Sequence, residues 1–194
     1  RLDEEAAGYL STAAQRGAEL GQVFSKFGIT FNMNLAITDE LSVEISPSVR
    51  GSLLALVEIY QRHQQWQYAM TCLQTLVKLD PSDIVTKLSL SELLLETRPG
   101  DTAACQEVVQ LSIGVENDSA IHAALLLYKA RALRMLHLLE AARDVLSLVL
   151  RRTKDRPDEV LRALRYERGL VYDELGQRQL ARTEFQKLYS DTPG

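Results

Sequence analysis

The chain has 194 residues, with 22 Lys+Arg against 26 Asp+Glu, a formal net charge of -4, and 46% hydrophobic and 6% aromatic residues. Those proportions fit a globular protein and exclude the disordered, collagen-like and disulfide-rich classes. The acidic balance argues against a general binder of nucleic acid or anionic membrane, two cysteines point to a reducing, cytoplasmic compartment, and no apolar run is long enough to span a bilayer.

Residues 2–27 carry Ala6, Ala7, Leu10, Ala13, Ala14, Leu20, Val23 and Phe24 at helical spacing, which predicts a helix. The chain opens at Arg1 without Met, which leaves room for a removed leader, tag or upstream domain. After Phe27 the period falls to 2: Ile29, Phe31, Met33, Leu35 and Ile37 alternate with polar or small residues, and Leu41, Val43 and Ile45 do so again. Setting Ile37 opposite Leu41 keeps every apolar residue on one face and predicts a hairpin with a three-residue loop, Thr38-Asp39-Glu40. Two strands alone are marginal in water, so this face is expected to cover the N-terminal helix or the exposed end of the helical region that follows.

From residue 48 onward the spacing of three and four returns, as in Leu53, Leu56, Val57 and Tyr60, then Ala69, Leu73, Leu76 and Val77. Breaks at Pro81, Asn117-Asp118, Pro157 and Pro193 recur every 36 to 39 residues. The reading is a helix-plus-hairpin cap over 1–47, then four antiparallel helical hairpins over 48–194, at about 50–83, 84–118, 119–156 and 157–194. Ser82 or Asp83, and Asp101 or Thr102, stand where N-caps are needed. Asp158 and Glu159 suit a helix N-terminus, and Gly176 suits a left-handed helix end. The fold class expected is mainly all-α.

The stretch from Arg162 to Pro193, with Gly169, Tyr172, Leu175-Gly176, Ala181, Phe185 and Pro193, resembles a tetratricopeptide repeat (TPR). Arg50 to Asp83 is a second match through Leu53, Leu56, Tyr60, Trp66, Ala69, Leu73 and Asp80-Pro81, with Gln64 where the family prefers glycine. The middle units match by periodicity, with His137 at the turn glycine of one and Pro99-Gly100 as the turn of the other. The resemblance implies a right-handed superhelix of helix pairs, with Gly169 and Ala181 letting paired helices approach and Tyr172 and Phe185 filling the gap. It also implies that an array ending at Thr192-Pro193-Gly194 needs a further capping helix.

No catalytic constellation is present in the sequence. His63, His122 and His137 are isolated, with no HExxH, CxxC or Cys-His cluster, and there is no phosphate-binding glycine loop or GxSxG elbow. No cofactor and no metal site is expected. Cys72 and Cys105 fall on the second helices of consecutive units and read as buried small apolar residues.

Partner binding is expected on the inner wall formed by the first helix of each unit. By family register the candidates are Glu58 and Arg62 in the first unit, Tyr128, Arg131 and Arg134 in the third, and Tyr166 and Asp173 in the fourth, with Gln61 and Glu167 beside them. Leu54 and Glu58 stand where some family members hold a peptide carboxylate with Asn and Lys, which argues against a clamp of that type. Residues 1–118 hold 8 Lys+Arg against 16 Asp+Glu, whereas 119–170 hold 11 against 6, so an anionic partner would go to the third and fourth units.

Three functions compete. The leading one is a non-enzymatic adaptor, scaffold or assembly factor that binds a protein or peptide segment, acidic in character, in its groove. The alternative is self-association through the hairpin edge and the oppositely charged ends. An RNA-binding repeat is disfavoured by the negative total charge and the lack of a recurrent base-reading side chain.

Overall fold

The computed structural model describes residues 2–27, 32–46 and 48–191. Ile29 and Phe31 of the expected first strand, Pro193, and the side chains of Leu20 and Phe24 lie outside what is described. The described elements are α1 (Leu2–Lys26), β1 (Met33–Thr38), β2 (Leu41–Ile45), α2 (Val49–Arg62), α3 (Trp66–Leu79), α4 (Ile84–Thr97), α5 (Thr102–Leu111), α6 (Ala120–Met135), α7 (Leu139–Val149), α8 (Asp158–Glu174) and α9 (Arg178–Asp191). They fall into two compact units, Arg1–Leu90 and Ser91–Gly194, with the division inside α4.

In the first unit α2 is the central helix, burying Leu54, Ala55, Leu56 and Val57, with α1, α3 and β1 packed against it. Asp3 lies beside Arg62 and His63 at one end of α2, while Gly17 lies against Val49 at the other, so α1 and α2 are antiparallel. A Cβ at Gly17 would collide with the Val49 side chain, which is why this contact takes a glycine. The hairpin follows the predicted register where Leu35 faces Val43 and Met33 faces Ile45. Leu35, Ile37, Leu41 and Ile45 are buried, whereas Asn34, Ala36, Ser42 and Glu44 are exposed. Its tip differs from expectation. Thr38, not Ile37, pairs with Leu41, so the loop is two residues and the extra residue is absorbed as a bulge between Ala36 and Thr38. Neither Asp39 nor Glu40 has the positive φ of the usual two-residue turn, and the bulge supplies the missing twist.

Asp83 joins the base of α2 to the start of α4. Its carboxylate accepts from Arg50 Nε (2.7 Å) and Arg50 Nη2 (3.0 Å), from the Thr86 hydroxyl (2.7 Å) and from the Val85 N–H (3.1 Å). Burial alone would raise the pKa of Asp83, but these donors outweigh it and hold the carboxyl below its ordinary 3.8.

In the second unit α6 is nearly apolar all round, with Ala123, Ala124, Leu125 and Leu127 fully buried. It packs against α5, α7 and α8, and α8 packs in turn against α7 and α9, the nearest-neighbour stacking of a repeat array. Asp101 caps α5 through the Ala103 and Ala104 N–H groups, and Ser119 caps α6. Gly169 of α8 meets Phe185 of α9 so closely that a Cβ would stand 2.5 Å from the ring.

The turns repeat more faithfully than the sequence does. Gln64, Gly100, His137 and Gly176 each adopt a left-handed φ, at 56°, 78°, 58° and 73°. At three of them the same pair of hydrogen bonds recurs: Gln65 N–H to Tyr60 C=O (2.7 Å), Leu138 to Leu133 (2.9 Å) and Gln177 to Tyr172 (2.8 Å), each joined by a shorter-range bond from the left-handed residue. Five residues on stand Ala69, Cys105, Ala142 and Ala181, all buried. Cys105 therefore occupies the alanine position of its unit, where only a small side chain fits between paired helices.

Candidate functional site

The seven candidate residues gather in three places rather than one. In the first unit Arg62 donates to Glu58 (2.7 Å) and lies 3.6 Å from Asp3 of α1, while His63 Nε2 contacts the same Asp3 oxygen at 2.8 Å. The hydrogen bond with His63 lowers the Asp3 pKa, with the Arg62 charge adding to the effect. The first turn of α1 thus already engages the polar end of α2.

In the second unit a row of polar contacts runs across α4, α6 and α8, with ion pairs between α6 and α8. The Tyr128 hydroxyl donates to Glu92 (2.7 Å), and the ring of Tyr128, only 4% exposed, lies 4.7 Å beneath the Arg131 guanidinium. Arg134 donates from Nε to Glu167 (2.5 Å) and from Nη1 to Glu174 (2.8 Å), and Arg131 stands 3.9 Å from Glu167. Burial opposes the Arg134 charge, yet its two carboxylate partners raise its pKa above the usual value. Glu167, with a side chain 4% exposed, is buried because two arginines satisfy it. The arginines are therefore engaged by the chain's own carboxylates. The sequence does not single out Glu92, and Glu174 reads there as solvated surface; the available signal is the separation of 33 to 40 residues, one repeat length, between Arg134 and Glu167 or Glu174 and between Tyr128 and Glu92.

Tyr166 and Asp173 fall on another side of α8, toward α9. Tyr166 is 53% exposed with its ring 5.9 Å from that of Phe185. Asp173 shares a recess of about 700 Å³ with Arg178, Ala181, Arg182, Phe185 and Tyr189, and Tyr189 is 83% exposed. Adjacent helical residues diverge, so Asp173 opens onto this recess while Glu174 turns to Arg134.

The remaining reactive groups are structurally occupied. Cys72 is half-buried and Cys105 buried, both free thiols whose pKa values burial raises. His122 Nδ1 meets the Ser119 hydroxyl at 2.7 Å, and His137 forms the turn described above. Among the described residues no cluster of three or more His, Cys, Asp or Glu could hold a metal, and no helix is long and apolar enough to cross a membrane.

Paired antiparallel helices, recurring left-handed turns and a shared small-residue position define a TPR-like helical-repeat fold. Among solved structures the chain is similar to the crystal structure of MamA, a TPR-containing protein, with 20% sequence identity and a TM-score of 0.56 over 71% of this chain and 75% of that one. At that identity the likeness carries the fold alone. No protein-family model and no curated protein sequence matches the chain.

Proposed function

We propose that the chain is a non-enzymatic protein-interaction module whose second unit binds a protein segment at the recess between α8 and α9. One observation carries this reading: exposed Tyr189 lines a recess with Ala181, Phe185, Arg178 and Arg182, and exposed Tyr166 lies next to it with its ring 5.9 Å from that of Phe185. Aromatic and arginine side chains about an apolar floor are the chemistry of interface hot spots. The two arginines favour a segment with an apolar anchor and nearby carboxylates. The Arg131 and Arg134 row supports the surface beside it without offering surplus positive charge, because Glu167 and Glu174 answer it.

A photo-crosslinking side chain placed at Tyr166 or Arg182 tests the reading in lysate of the native host. Discrete protein adducts are expected from both positions, and none from the same group at Leu148, which is equally exposed on α7. Identical adducts from Leu148, or none from Tyr166 and Arg182, would overturn it. Reversing Arg134 is a poor substitute test, since Arg134→Glu sets a carboxylate against buried Glu167 and disturbs the fold itself.

A further inference from the structure

One flank of α1 lies about 100° around the helix from the face that meets α2. It carries Tyr9, Ala13, Arg16, Val23 and Phe27, with Tyr9 79%, Val23 47% and Phe27 68% exposed. The spacing alternates four and three, and Leu20 fills the remaining position in the sequence. This is the a and d repeat of a two-helix seam. The side chains leave between them a shallow recess of about 370 Å³, lined by Tyr9, Thr12, Ala13, Arg16, Glu19 and Val23. A hole of that kind is what a knob from a facing helix requires.

We infer that α1 pairs antiparallel with α1 of a second copy of this chain through this seam. The charges on the seam select that occupant. Arg16 and Glu19 stand on either side of its midpoint, joined to each other at 3.3 Å while 69% and 72% exposed. A two-fold axis at the midpoint sets Arg16 one residue from directly facing Glu19 of the partner subunit, within reach of its long side chain, and by symmetry Glu19 beside Arg16 of the partner subunit, so both charges are answered without any other protein. In the same register Tyr9 meets Phe27 of the partner subunit and Ala13 meets Val23 of the partner subunit, small against large. A parallel pair would instead set Arg16 against its own copy. Four aromatic rings, each burying about 150 to 200 Å², together with the aliphatic side chains bring the contact to on the order of 1,000 Å², the lower edge for a specific interface. A reversible dimer with Kd on the order of 10 μM is the expected result.

Sedimentation equilibrium of the chain as it stands, over loading concentrations from about a tenth to ten times that constant, is expected to show the mass climbing from monomer toward dimer. Tyr9→Glu combined with Val23→Glu alters exposed positions and is expected to weaken association by more than about tenfold at unchanged helix content. A mixture of Ala13→Cys and Val23→Cys chains under mild oxidation is expected to give a crosslinked heterodimer that neither variant gives alone, with the wild type, which retains Cys72 and Cys105, as the blank. Monomer mass throughout, a glutamate variant that associates as the wild type does, or crosslinks within each single variant would overturn the inference.

Discussion

Asp83 works through one carboxylate at two levels, capping α4 and fixing α2 through Arg50. Replacing it with Asn leaves a weak cap but loses the charge-assisted bonds, so Asp83→Asn is expected to lower stability at pH 7 by about 2 kcal/mol. The pH dependence has a definite sign. The folded-state pKa lies below 3.8, so the contribution is present above the unfolded value and disappears as pH falls through the folded one. Urea midpoints measured at pH 7 and pH 3 should therefore differ less for Asp83→Asn than for the wild type. An equal drop in both would show that other carboxylates carry the acid sensitivity. Asp3 and Asp80 are also lowered, Asp3 chiefly by His63 and Asp80 chiefly by Ser82, but both are exposed and little of their effect should reach stability.

At the scale of elements, the turns hold stability in reserve. Gln64 and His137 carry side chains in a left-handed conformation that costs an L-residue about 1 to 2 kcal/mol, part of which glycine returns through its freer unfolded chain. Gln64→Gly and His137→Gly are each expected to stabilise by about 0.5 to 1 kcal/mol, and Gly176→Ala to destabilise by about 1 kcal/mol, in denaturant titrations. The turns also show what the sequence could and could not reveal. Leu175-Gly176 announces its geometry, whereas Gln64 and His137 do so only by their distance from the other turns. Likewise, alternation set the pairing of Leu35 with Val43, but the hairpin tip depends on φ angles that side-chain pattern does not encode, and the bulge went unread. Cys105 does not announce itself as the alanine position of its unit, because Ala104 beside it is equally small and also buried. The candidate site was less legible than the fold. Helical spacing tells which residues share a stripe, but whether Asp173 or Glu174 reaches Arg134 depends on how α8 is rotated against α6, and that is decided by packing.

For the molecule as a whole, stability should be local. Leu54 and Leu164 are both fully buried, one in each unit, and truncating either to Ala is expected to cost about 2 to 5 kcal/mol. In an array held by nearest neighbours the damage should stay near its source. Segment-resolved hydrogen exchange is expected to show Leu54→Ala exposing mainly α1 to α3, and Leu164→Ala mainly α6 to α9. Uniform loss of protection across the chain would show a single cooperative block.

The ion pairs between α6 and α8 have a consequence for assembly order. Apolar positions recur in every unit, so shape alone would let one first helix dock where another belongs. Arg134 finds carboxylates at Glu167 and Glu174 of α8, whereas a misplaced copy of α6 would offer it the ring of Tyr128 in place of Glu167. The salt bridges serve as addresses: worth little as adhesive, they tell each helix which neighbour is its own.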